Sequence, residues 1–97
     1  MPDINCEVKS SPRQSFWVRN SEDSPVVLCL EPWGDELLIL KNSDYLVVFE
    51  GPEGEYPGVQ WINGRVTVYG WPGSTASVFL HGRIVLSCVT PVPEMPR

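Results

Sequence analysis

The chain has 97 residues, which suits one small domain with a single two-layer core. Its composition, 42% hydrophobic, 10% aromatic and 20% charged, is that of a chain that folds and excludes the disordered class. The net charge is −5, and residues 31–55 set seven acids against Lys41 alone, which argues against nucleic acid as a partner because phosphate binding needs clustered Lys and Arg.

Residues 1–13, with Pro2 and Pro12, read as an extended tail free to move. Nowhere after it do apolar residues recur at helical spacing. Short β-branched and aromatic runs alternate instead with Pro, Gly, Asn and Ser at intervals of about 8 to 12 residues. This rhythm predicts strands over 14–19, 26–31, 36–40, 45–50, 59–62, 66–69, 76–80 and 83–87. In "VVLCL", "ELLIL" and "YLVVF" both faces are apolar, so these segments are expected to be central in a sheet or covered by loops as well as by the core. In "RVTVYG" the alternation is clean, with Val66 and Val68 on one face and Thr67 and Tyr69 on the other.

Asn63-Gly64 is a type I′ hairpin signal, because both central positions need positive φ and these residues tolerate it best. His81-Gly82 predicts a second two-residue hairpin, with His81 a solvated turn residue. The last four strands then form two antiparallel hairpins. Residues 89–97, ending in "TPVPEMPR", read as a second extended, mobile tail. The fold class expected is all-β: one antiparallel β-sandwich of seven or eight strands, a single domain over 1–97.

No apolar run approaches the roughly 18 residues that span a bilayer, and the first twenty residues lack a signal-peptide pattern. The expectation is a cytoplasmic protein without membrane association. Cys6, Cys29 and Cys88 make an odd count with long, unequal spacings, which fits neither a disulfide framework nor a paired zinc site. They read as reduced thiols, Cys29 in the core, with a Cys6–Cys88 pairing left open.

"LEPWGDELLIL" and "YGWPGSTASVFL" are built alike: a strand, a Trp beside Pro and Gly, then another strand. Pro72 and Gly73 suit positions i+1 and i+2 of a type II turn, with Trp71 pushed to an extended conformation. Pro32 suits i+1 of a type I turn, with Trp33 at i+2 and Gly34 at i+3. One reading has each Trp fold over the open end of the sandwich and plug it. The other has Trp33, Trp71 and Tyr69 exposed as a binding site, with Glu31 and Asp35 supplying hydrogen bonds to a small ligand, a carbohydrate or a protein. The pre-proline backbone and the flanking Gly70 and Gly73 favour the plug.

The combination "LEPWGDE", "VVFEGPEG" and "VTVYGWPGS" resembles small bacterial β-sandwich proteins of uncharacterised function that share the L-E-P-W-G and V-Y-G-W-P-G-S turns. The likeness covers roughly residues 16–82. It implies a compact bacterial β-domain and transfers no catalytic residue.

Chemistry finds little footing. A blue-copper site needs two His, a Cys and usually a Met, whereas His81 is the one histidine, and the order His81, Cys88, Met95 does not match such a loop. Ser74, Ser77 and Ser87 belong to no nucleophile-elbow pattern. Glu31 with Asp35 or Glu36 could imitate a glycosidase acid pair, but the chain has no long insertions to build a cleft. "EGPEGEYPG" carries Glu50, Glu53 and Glu55 without the spacing of a Ca²⁺ loop. The reading is a non-catalytic binding or assembly module without cofactor or metal. A small-ligand or carbohydrate binder working through the aromatic turns is the alternative, and a small hydrolase a distant third. Self-association is expected through the segment "RIVLSCV", which has only Arg83 as a charged guard.

Overall fold

The computed structural model describes residues 13–93. Eight strands follow one another: β1 (Arg13–Arg19), β2 (Val26–Glu31), β3 (Asp35–Ile39), β4 (Asp44–Glu50), β5 (Gly58–Ile62), β6 (Arg65–Tyr69), β7 (Thr75–Leu80) and β8 (Arg83–Cys88). They form two four-stranded sheets, ordered β1-β4-β7-β8 and β3-β2-β6-β5. The architecture is the all-β sandwich read from the periodicity.

Alternation decides what each sheet buries. Leu28, Leu30, Val66 and Val68 point inward from one sheet, and Val47, Phe49, Ala76 and Val78 from the other; all are buried in one core. Burying side chains of this size contributes about 1.5 to 3 kcal/mol each. β2 and β4 are central strands, as their doubly apolar runs suggest. β3 departs from that expectation. It is an edge strand that pairs only with β2 among the described residues, and its outward Leu38 is exposed.

Both hairpins form as their turns dictate. Asn63 and Gly64 have φ of 39° and 77°, and His81 and Gly82 have 52° and 78°, so all four central positions are left-handed as type I′ requires. β5 pairs antiparallel with β6, and β7 with β8. The central pair β2–β6 is parallel, with Leu28 beside Val66 and Leu30 beside Val68. That is a departure from a purely antiparallel sandwich. A parallel pair needs a long crossover, and β3, β4 and β5 together supply it.

The turn after β2 also differs from expectation. The Glu31–Pro32 bond is cis, Gly34 has φ of 79°, and the amide of Gly34 donates to the Leu30 carbonyl at 2.8 Å. The turn is therefore one residue longer than a type I turn starting at Glu31. The C-terminal segment is not a free tail as far as residue 93. Gly73 donates to the Val92 carbonyl at 2.8 Å and Val92 donates to the Ser74 carbonyl at 3.0 Å, which seats Val92 against the second aromatic turn. Cys6, and with it any Cys6–Cys88 pairing, lies outside the described residues.

Candidate functional site

The two aromatic turns meet at one end of the sandwich. Trp71 is 3% exposed, and its indole N–H donates to the Pro52 carbonyl at 3.1 Å. The Ser74 amide donates to the Trp71 carbonyl at 2.9 Å and Gly73 has φ of 87°, which makes Trp71–Ser74 the expected type II turn. The Ser74 hydroxyl, fully buried, accepts from the Trp71 amide at 2.9 Å. Trp33 is half-buried and donates its indole N–H to the Thr90 carbonyl at 2.7 Å. Both rings pack on Phe49, with centroids at 6.3 Å for Trp33 and 5.8 Å for Trp71. Glycines make room for them: a Cβ on Gly70 would lie 2.7 Å from the Trp33 ring, and one on Gly51 would lie 3.0 Å from the Trp71 indole nitrogen.

The other residues of the aromatic-turn reading are placed elsewhere. Glu31 and Tyr69 are cross-strand neighbours on the outward face of the β3-β2-β6-β5 sheet. The Tyr69 hydroxyl donates to Gln60 at 3.4 Å. Asp35 accepts a hydrogen bond from the Cys88 thiol at 3.2 Å. Of the five, only Glu31 and Tyr69 come together on a solvent-facing surface, while Trp33 and Trp71 turn inward.

The open aromatic surface lies instead on the outward face of β1-β4-β7-β8. Strand register sets Trp17 beside Leu46, Leu46 beside Phe79 and Phe79 beside Ile84, an apolar row across all four strands. Trp17 is 66% exposed. The next row is Ser15, Val48, Ser77 and Ser87, three hydroxyls around one methyl-bearing side chain. Ion pairs close both ends of the β1–β4 ladder: Arg13 to Glu50 at 2.7 Å and Arg19 to Asp44 at 2.9 Å. Trp17, Leu46, Val48 and Phe79 line a groove of about 600 Å³, with His81 at its rim. That volume falls within the range of roughly 300 to 1,000 Å³ of small-ligand sites. Trp17 belongs to none of the motifs read from the sequence. The signal was the alternation in "SFWVR", which turns Phe16 and Val18 inward and therefore Trp17 outward.

Cys29 is buried but does not belong to the inter-sheet core. It sits opposite Glu36 on the outward face of β2, beneath an ion pair between Arg65 and Glu36 at 2.6 Å. Arg65 reaches across β2 and also donates to the Cys29 sulfur at 2.8 Å. Burial first, then the hydrogen bond to Glu36, raises the Cys29 thiol above its ordinary value against the opposing pull of Arg65. The hydrogen bond from Arg65 holds the Glu36 carboxyl below the usual range. Burial, reinforced by Asp35, pushes the Cys88 thiol up to about 12. Neither thiol is a ready nucleophile, since the reactive form is the thiolate.

Among the described residues, no three His, Cys, Asp or Glu side chains converge as metal ligands, and no helix is long and apolar enough to cross a membrane. Comparison with protein-family models, with curated proteins and with solved structures finds no match.

Proposed function

We propose that the protein is a non-catalytic binding module whose ligand lies along the outward face of β1-β4-β7-β8. The observation that carries this reading is the row Trp17, Leu46, Phe79 and Ile84, an apolar strip across four strands, with hydroxyls beside it and ion pairs at the two ends of the β1–β4 ladder. A saccharide ring presents an apolar C–H face and a rim of hydroxyls, and so matches such a surface. The carboxylates of Glu50 and Asp44 are tied to Arg13 and Arg19, which supports holding a ligand over acid–base work on it.

The test is a titration of ¹⁵N-labelled protein with a panel of mono- to tetrasaccharides. The Trp17 indole signal and the amides of Leu46 and Phe79 should shift and saturate, and Trp17→Ala should abolish the response while the dispersion of the spectrum is kept. No shift with any member at about 10 mM, an affinity too weak to matter for a built site, overturns the reading. Shifts confined to Trp33 and Tyr69 would instead move the ligand to the aromatic turns.

A further inference from the structure

The strand β5 differs from every other edge. Its sheet ends there among the described residues, so one side of its backbone has no partner strand. All five residues of Gly58–Ile62 are exposed, Val59 at 57% and Trp61 at 51%, and residues 57–64 contain no ionisable side chain. The remaining edges are guarded in the ways that natural sheets use against edge pairing. β1 carries Arg13 and Arg19, β3 carries Asp35 and Glu36, and β8 carries Arg83 and a bulge opposite Val78 and Phe79. The β8 segment expected from its sequence to self-associate is thus the better protected of the two exposed apolar edges.

The geometry points to β5 as a homodimer edge, pairing antiparallel with the β5 of a second copy about a two-fold axis at Gln60. Backbone parity, together with the number of free groups engaged, selects that register. The type I′ turn at Asn63-Gly64 closes with a hydrogen bond between Ile62 and Arg65. Hydrogen-bonded and open pairs alternate along an antiparallel ladder, so Ile62, Gln60 and Gly58 turn their amides and carbonyls toward β6. Val59 and Trp61 turn theirs to the free side. With Gln60 facing its own copy, Val59 of each protomer meets Trp61 of the other, and all four unpaired residues exchange their bonds. Any register shifted by one residue opposes a donor row to backbone groups already engaged.

Side chains agree with the backbone. Val59 and Trp61 share a face, and an aromatic ring against a β-branched residue is a favourable cross-strand pair, made twice here. Two copies of a chain with net charge −5 repel at most contacts. The uncharged stretch 57–64 brings no like charges together, which singles out this edge for a second copy over a charged partner. A strand-to-strand contact of five residues is smaller than the roughly 1,200 to 2,000 Å² of a permanent interface, so the dimer is a reversible one.

Sedimentation velocity over a concentration series tests the proposal. The wild-type protein should pass from monomer to dimer with rising concentration, reaching a dimer majority by about 1 mM. Gln60→Lys places two like charges opposite each other at the axis and should leave a monomer with an unchanged melting temperature. Mixing Gln60→Lys with Gln60→Glu should restore a one-to-one dimer. A wild-type chain that stays monomeric throughout overturns the proposal. So does a dimer that survives Gln60→Lys, or one abolished only by Val85→Lys on β8. Should a variant fail to fold, amide exchange of the wild-type protein gives the same answer: protection of the Val59 and Trp61 amides must rise with concentration, and protection that does not change overturns the pairing.

Discussion

Trp71 and Trp17 carry the same side chain to opposite fates within one small domain. Trp71 stands in an irregular turn, yet it is buried, with its amide, carbonyl and indole nitrogen all hydrogen-bonded. Trp17 stands in the middle of a regular strand, yet it faces solvent. A large ring is buried here where small neighbours leave it space, as Gly51 and Gly70 do, and where a carbonyl waits for its N–H. In a strand the period of two overrides size, and Trp17 falls between the inward Phe16 and Val18.

The largest test of that contrast is Trp71→Ala. Loss of the buried ring and the cavity left over Phe49 should cost about 3 to 5 kcal/mol, read as a fall in the denaturation midpoint at constant slope. A variant with wild-type stability would break the distinction between closed end and open face. Gly70→Ala probes the same end by overfilling it. The new methyl meets the Trp33 ring and the Ser74 hydroxyl at 2.7 Å, and a loss of about 1 to 3 kcal/mol is expected, with the Trp33 fluorescence altered.

The closed end should also carry an alkaline pH dependence. The folded-state value of Cys88 is raised from 9.0 to about 12. Its contribution to stability is therefore fully present below pH 9 and is lost as pH rises toward 12. Unfolding measured across that window should show a steeper decline in the wild type than in Cys88→Ala; equal slopes would mean that the thiol is not protected by its burial against Asp35. The smallest effect belongs to the open face. Trp17→Ala should change stability by no more than about 0.5 kcal/mol, since the ring it removes is mostly in water already.

Every strand was legible to within one residue, because period-two alternation and turn residues are local signals. Both I′ turns and the type II turn at Trp71–Ser74 were legible for the same reason: φ at Asn63, Gly64, Gly82 and Gly73 follows from residue type, and His81 takes its φ from its place before Gly82 in a two-residue turn. What failed was non-local. Nothing in "VVLCL" says that Cys29 turns outward, because the ion pair that covers it comes from β3 and β6. The edge position of β3 and the parallel pairing of β2 with β6 depend on how the sheets close. The groove on β1-β4-β7-β8 was half legible: its Trp17 follows from alternation, but Leu46, Phe79 and Ile84 become its neighbours only through register between strands distant in the chain.

The parallel pair at the centre of the β3-β2-β6-β5 sheet has a consequence in time. β5–β6 and β7–β8 can close within their own tight turns, but β2 and β6 pair across a stretch of chain that holds three other strands. Closing such a loop is entropically costly before any contact rewards it, so folding belongs in the slow range of milliseconds to seconds. Stopped-flow refolding should then slow for Val66→Ala on β6, while Leu86→Ala on β8 mainly hastens unfolding; the reverse pattern would place the slow step in the other sheet.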